Sequence, residues 1–379
     1  MKKIVVLILL IAGWQTIQAQ NVSQFKILKD SAYQTTADYQ AGNKYQKDAI
    51  LFMDMVADTH PYYIKAERRA EWFAKKPALM DKCKTIQTDE DFADAIIEVL
   101  GPLYDRHTNI TTMKRMQESK KPRPADQQVA ETGATVKKHI MTRRVKNYDY
   151  QLFPEQSICY LQFNQCAEAT DNPFSTFLND MFAKIDEGGI KTLVVDVQYN
   201  NGGGSRLCDE LFLHLYPLNK MKFFTTYLRF SDLMAMYNPK IAEVMKNWEN
   251  DGHKDELYQM PVPKIPADFQ QPKLFDGQVI FVMGERTYSS AGMLLTYARD
   301  NHVGTIIGTT ATFSPSHYGE VIPYRLPNTD VLGSISSKYF VRPDESQKDD
   351  GFMQPDVEVN LDDKEAVWQF IVKKYGKMK

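Results

Sequence analysis

Apolar residues in this chain fall into short runs of two kinds. Residues 278–283 (QVIFVM) and 191–197 (KTLVVDV) are apolar at consecutive positions, the pattern of strands covered on both faces, and predict central strands of a sheet flanked by helices. Residues 157–165, opening on SICYLQF, predict another core strand. Helical spacing takes over at 173–187, 205–215, 290–301 and 365–374, so strands and helices alternate and the expected fold class is α/β. Upstream, residues 45–110 are helical in character: 47–57 is amphipathic, 68–80 continues the pattern, and Thr88 opens a third helix as a capping box with Asp91. Alternation at 135–144 and 148–153 predicts a hairpin bordering the core, and 331–341 reads as another hairpin region. Residues 221–230 and 246–269 belong to a long connection, readable as a lid, a subsite wall or a passive surface loop.

Composition bounds the classes. The 46 Lys+Arg against 48 Asp+Glu give a net charge of −2, so nothing calls for nucleic acid as a partner. Residues 1–19 run from Lys2 and Lys3 through an apolar stretch at 4–12 to Gln18 and Ala19, the order of a signal peptide whose apolar run is too short to span a bilayer. Export is therefore expected, to a Gram-negative periplasm or beyond, with the mature chain starting near Gln20. No later stretch stays apolar for ~18 residues, so stable membrane insertion is not expected. Four cysteines allow three pairings if all are bridged, but Cys159 in a strand and Cys208 on a helix argue for free, buried thiols. No C-x-x-C or H-x-x-x-H spacing occurs, and neither metal nor cofactor is expected. Basic, proline-containing residues 115–126 read as an exposed linker, giving a helical subdomain at 20–114 and a core domain at 115–379.

The candidate chemistry sits where strand meets helix. Ser289 lies at the joint between the 278–283 strand and the 290–301 helix, after the connection GERTY. Its Oγ would stand at a strand's carboxyl end beside the unpaired N–H groups of a helix N-terminus, which suits a nucleophile with a developing oxyanion. A simple helix cap is the ordinary alternative for a serine there. Glycines 202–204 follow the 191–197 strand, but the run lacks the lysine and the glycine spacing of nucleotide-binding loops. It is either a plain turn or a place where a backbone amide approaches a reacting carbonyl.

The run T-Y-S-S-A-G at 287–292, followed by Asp300, Gly304 and TIIG at 305–308, resembles the nucleophile segment of the S41 peptidases, the C-terminal-processing and tricorn-like serine proteases. The resemblance implies a ClpP/crotonase-like core of β-β-α units behind the helical subdomain, Ser289 as nucleophile and the Ser290 N–H as an oxyanion donor. Asp105-Arg106-His107-Thr108 matches the family's D-x-H-T, whose histidine is the general base in the tricorn-like branch, here His107. Asp196, Asn200, Gly202 and Gly203 match D-x-R-x-N-x-G-G, implying the Gly202 N–H as second oxyanion donor, while Gln198 replaces the arginine. The lysine of the processing members falls at Ser314, and no lysine occurs between Ser289 and Lys338, so a Ser-Lys dyad is absent. His317, near that position, is the fallback base, and His302 reads as surface. Tricorn-like members place an acid shortly before a closing P-D, and counting back from Pro355 gives Asp349, with Asp350 adjacent and Glu345 nearby. Leu326-Pro327-Asn328 and the 351–359 stretch also match family segments. About 40 residues between Arg115 and the next core strand are too few for an inserted PDZ domain.

Two functions follow. One is a secreted serine endopeptidase acting on peptides or unfolded proteins, with Ser289 attacking and His107 moving the proton. The other is a catalytically inactive peptide-binding protein on the same fold, favoured by Gln198 and by Gly292, where many members have glutamate. A crotonase-type acyl-CoA enzyme shares the architecture, but export argues against it. The endopeptidase requires His107 Nε2 within about 3–4 Å of Ser289 Oγ.

Overall fold

A computed structural model describes residues 25–29, 32–33, 36–103, 105–119, 146–262, 264–266, 268–347 and 351–377. The leader, residues 120–126 of the expected linker, the 135–144 half of the expected hairpin, and Asp349 and Asp350 lie outside them. The strands in chain order are β1 (Asn109–Thr112), β2 (Tyr148–Phe153), β3 (Ile158–Phe163), β4 (Thr192–Asp196), β5 (Thr225–Leu228), β6 (Tyr258–Gln259), β7 (Gln278–Met283), β8 (Thr305–Gly308), β9 (His317–Arg325), β10 (Val331–Val341) and β11 (Val357–Glu358).

The consecutive-apolar runs build one sheet of order β11-β8-β7-β4-β3-β2. Its strands pair in parallel from β3 to β11, and β2 closes the edge antiparallel to β3. Both faces are covered, which is why the strands lack polar alternation. Cys159, Leu161, Leu193, Val195, Val279 and Phe281 face one core, shared with the helices Phe174–Gly188, Ser205–Leu213 and Ser290–Asp300. Their neighbours Ile158, Tyr160, Val194, Ile280 and Val282 face the other, under Val367, Trp368 and Ile371 of the helix Lys364–Tyr375. Truncating a central side chain such as Phe281 would cost ~3–5 kcal/mol.

The second sheet has β10 at its centre, antiparallel to β1, β5 and β9, with β6 beyond β5. The long connection is not a featureless loop: it supplies β5 and β6 and, between them, the helices Asp232–Tyr237 and Pro239–Asn250. Its strands are short, and β5 depends on pairing with β10 and β6 on pairing with β5, which the local pattern could not reveal. The N-terminal helices share one core with this sheet, as Ile50, Phe52, Val56, Trp72 and Phe92 pack with Leu228, Ile322, Tyr324 and Ile335. The helix Lys44–Thr59 opens on a capping box between Asn43 and Gln46. Its buried Asp48 accepts from Asn328 N–H and Nδ2 and from Thr329 Oγ1, which ties it to the L-P-N turn between β9 and β10. Burial lifts that carboxyl to about 6 against the pull of those donors.

Candidate active site

The parallel sheet delivers one half of the site. After β7 the chain turns sharply, and Ser289 takes φ 53° and ψ −127° before the helix Ser290–Asp300 begins. A residue with a Cβ is rarely held there, and such strain collects where a side chain must be presented at a fixed angle. The Ser289 side chain makes no helix-capping hydrogen bond, so the ordinary reading of this serine does not apply. The Ser290 hydroxyl donates to Gly203 O at 2.7 Å, while its N–H, at the first turn of the helix, has no acceptor among the described residues.

The glycine loop lies directly against this turn. Gly202 has φ 96°, and a Cβ there would come within 2.6 Å of Ser289 Cβ and 3.0 Å of Ser290 N. Its N–H donates to Asn200 Oδ1 at 2.8 Å, so the donor assigned to the oxyanion from sequence already has an acceptor. Asn200 is fully buried, and its Nδ2 donates to Phe163 O at 3.0 Å while its carbonyl accepts from Tyr288 N–H at 3.0 Å. The two sequence departures have local reasons. Gln198 Nε2 donates to Asp196 Oδ2 at 2.8 Å, and Lys364 Nζ donates to Gln198 Oε1 at 2.6 Å. The cation expected at residue 198 thus arrives from the C-terminal helix. Burial raises the Asp196 carboxyl, countered by these hydrogen bonds and by the charge of Lys364. At Gly292 a Cβ would fall 2.3 Å from the Phe313 ring, so an aromatic side chain fills the space a glutamate would need.

The antiparallel body delivers the other half. His107 lies in the turn leading into β1, and β10 holds that turn: Ser334 Oγ donates to His107 O at 2.7 Å and Ser336 N–H to Thr108 Oγ1 at 3.1 Å. His107 Nε2 stands 3.0 Å from Ser289 Oγ. If the serine hydroxyl donates, the imidazole proton is on Nδ1, which faces Asp105 Oδ1 at 3.3 Å and the Tyr288 oxygen at 3.1 Å.

Asp105 is the acid at this imidazole, and the sequence reading passed over it. Asp349 and Asp350 lie outside the described residues, and Glu345 is exposed. The available signal was the spacing itself: an aspartate two residues before an amide commonly accepts that N–H, and His107 N–H donates to Asp105 Oδ1 at 3.0 Å. Oδ2 accepts from Thr108 Oγ1 at 2.8 Å and Ser336 Oγ at 2.7 Å, and it lies 3.1 Å from His60 Nε2. Burial by itself would push this carboxyl up, but hydrogen bonds from His107 and His60 hold it well below the usual carboxylate range. Burial pushes the Tyr288 phenol up, reinforced by the negative Asp105, so Tyr288 stays neutral beside the imidazole.

The remaining residues fall outside this cluster. The His317 ring lies 6.4 Å from that of His107, its Nδ1 bonds Pro315 O at 3.2 Å, and it packs among Phe224, Phe313 and Phe340. His302 is exposed in the turn after the Ser290–Asp300 helix. All four cysteines are free and buried, with Cys166 Sγ and Cys208 Sγ 3.4 Å apart. Among the described residues no His, Cys, Asp and Glu cluster could hold a metal ion, and no helix is long and apolar enough to cross a membrane.

Solved structures share this fold. A candidate peptidase from Parabacteroides merdae ATCC 43184 aligns with a TM-score of 0.55 and 17% identity, over 85% of this chain and 92% of that one. Mature CPAF complexed with lactacystin aligns at 0.56 and 10% identity, over 83% and 93%. A lipoprotein from Streptococcus agalactiae aligns at 0.52 and 12% identity, over 87% and 96%. At such identities the likeness is one of fold. No curated protein sequence matches the chain. A model of peptidase family S41 matches residues 157–359, more than half the chain and both strand-to-helix turns of the site, and the chain therefore belongs to peptidase family S41.

Proposed function

We propose that this protein is an exported serine endopeptidase in which Ser289 is the nucleophile, His107 the general base and Asp105 the orienting acid. The observation that carries the reading is the 3.0 Å approach of His107 Nε2 to Ser289 Oγ from a different body of the protein. A serine hydroxyl is a weak nucleophile until a base takes its proton, and this imidazole is the one within reach. As Oγ attacks a peptide carbonyl, Nε2 accepts the hydroxyl proton, and the imidazolium that forms is stabilised by the buried Asp105 carboxylate at Nδ1. The same proton passes to the leaving amine, leaving an acyl group on Ser289. A water then repeats the sequence to release it.

The tetrahedral oxygen is served by the Ser290 N–H, with the positive end of the helix Ser290–Asp300 behind it. Gly202 N–H is the second donor. Because it is bonded to Asn200 Oδ1, the arriving oxygen must share that N–H or displace the Asn200 oxygen from it. Substrates are peptides or unfolded proteins, the class that membership of peptidase family S41 supports. Export rests on the leader at residues 1–19. The features that favoured a non-catalytic receptor, Gln198 and Gly292, are accounted for by Lys364 and Phe313.

The test is proteolysis of an unfolded protein and of a peptide library. Cleavage by the wild type that disappears in Ser289→Ala is expected, whereas peptide binding without cleavage, equal in both forms, would make the protein a receptor. Ser290→Ala should retain most of the activity, since alanine keeps the N–H.

A further inference from the structure

We propose that His60 is a positioning residue for this site, its Nε2–H holding Asp105 Oδ2 so that Oδ1 is presented to His107 Nδ1. The kinetic consequence rests on the serine-peptidase reading, but the geometry does not. His60 caps the carboxyl end of the helix Lys44–Thr59, just before Pro61 opens a short turn, and its side chain is fully buried. Its Nδ1 accepts the Tyr62 N–H at 3.1 Å, and an amide can only donate. In a neutral ring the proton is therefore on Nε2, 3.1 Å from Asp105 Oδ2.

The ring has little freedom to leave that position. Tyr318 packs against it with centroids 4.6 Å apart and Tyr63 at 5.9 Å, and Arg229 Nη1 donates to the His60 carbonyl at 3.0 Å. Burial lowers the His60 pKa, and Arg229 and His107 act in the same direction against the pull of Asp105, which favours the neutral ring that the Tyr62 contact requires. The charged and titratable groups around the pair are Asp105, Arg229, Tyr62, Tyr63 and Tyr318 on the His60 side, and Arg106, Tyr288 and His317 on the His107 side. An ordinary core histidine would satisfy its two nitrogens locally. Here one nitrogen caps a turn, and the other reaches the acid of the site.

Two substitutions separate these roles. In His60→Asn the side-chain oxygen sits where Nδ1 was, keeping the Tyr62 contact and losing Asp105. In His60→Gln the amide sits where Nε2 was, keeping a donor to Asp105 and losing the turn contact. The expected result is that Asn lowers kcat on a peptide substrate about tenfold or more, the scale of a hydrogen bond to a charged group, with KM within about twofold. The acid limb of its kcat/KM profile should move upward by about half a unit, because a carboxylate short of one donor is a stronger partner for the imidazolium. Gln should restore most of the kcat and the wild-type limb, even if its melting temperature falls further than that of Asn. A role in packing alone would make both variants lose kcat only as they lose folded protein, with an unchanged profile, and would overturn the proposal. If the wild type itself proves inactive, titration of the His107 ring followed by NMR still decides. Displacement in Asn but not in Gln supports the clamp, and no displacement in either refutes it.

Discussion

The two bodies that meet at the site place their residues by different physics. In the parallel body, Ser289, Ser290 and Gly202 are products of tight strand-to-helix turns, and positive φ at Ser289 and Gly202 fixes them from within. In the antiparallel body, Asp105 and His107 sit in a turn with ordinary backbone, and side chains from elsewhere fix them: Ser334 and Ser336 of β10, and His60 of the N-terminal helices. Local strain is robust to changes elsewhere, whereas a hydrogen-bonded cradle is only as good as its most distant member. The base half should therefore be the more sensitive to substitutions outside the site.

The largest expected effect strikes that half. Asp105→Asn leaves the shape but exchanges a carboxylate for an amide that can favour the wrong imidazole tautomer, and kcat should fall by ~10³–10⁴. Steady-state cleavage of a peptide measures this, and a fall below about tenfold would remove Asp105 from the mechanism. Next is Gly202→Ala on the other half, where a methyl group would press on Ser289 Cβ in a backbone conformation that L residues resist. A stability cost of ~1–3 kcal/mol is expected, with activity falling more steeply than stability. Unchanged activity in a folded Gly202→Ala would show that the loop does not need close approach.

Acid sharpens the comparison differently, because each body buries a histidine with a lowered pKa. Burial takes His214, stacked on Phe182 beside the parallel sheet, down to about 4, and His317 on β9 down to about 3, His107 adding to the latter. An unfolded histidine ionises near ~6.5, so below that pH the unfolded chain binds protons that the folded chain refuses. Stability is thus full above pH ~6.5 and is lost as the pH falls toward about 4, then about 3. His214→Phe keeps the stack and removes that share, and chemical denaturation should find the variant about 3 kcal/mol less acid-sensitive between pH 7 and pH 4. Equal acid sensitivity in both would mean His214 ionises freely in the folded chain. The smallest effect is at the substituted cation: Lys364→Met should cost ~1–2 kcal/mol by leaving Gln198 Oε1 without its donor, with little change in kcat.

Legibility in the sequence followed the same division. Strands β3, β4 and β7 were readable because double burial writes itself as consecutive apolar residues, whereas Ser289 and Gly202 were readable only through the motifs that resemble the S41 peptidases, since local sequence left a helix cap and a plain turn open. His107 was readable through its motif. Asp105 was in plain view in that motif, but its role depends on an imidazole orientation that spacing does not specify. Lys364 could not be paired with Gln198, 166 positions away, nor Phe313 with Gly292, since neither contact leaves a local pattern. The 225–259 segment was opaque because β5 exists only where β10 pairs with it, and β6 only where β5 does.

The claim that the two bodies form one reactive unit is tested most directly by the rate at which a fluorophosphonate acylates the protein, with the adduct mapped by mass spectrometry. The expected result is a single adduct on Ser289, absent in Ser289→Ala and formed ~10²-fold or more slowly in His107→Ala, with that variant still folded. A wild-type protein that is not labelled, or one labelled at Ser289 equally fast without the His107 imidazole, would contradict it.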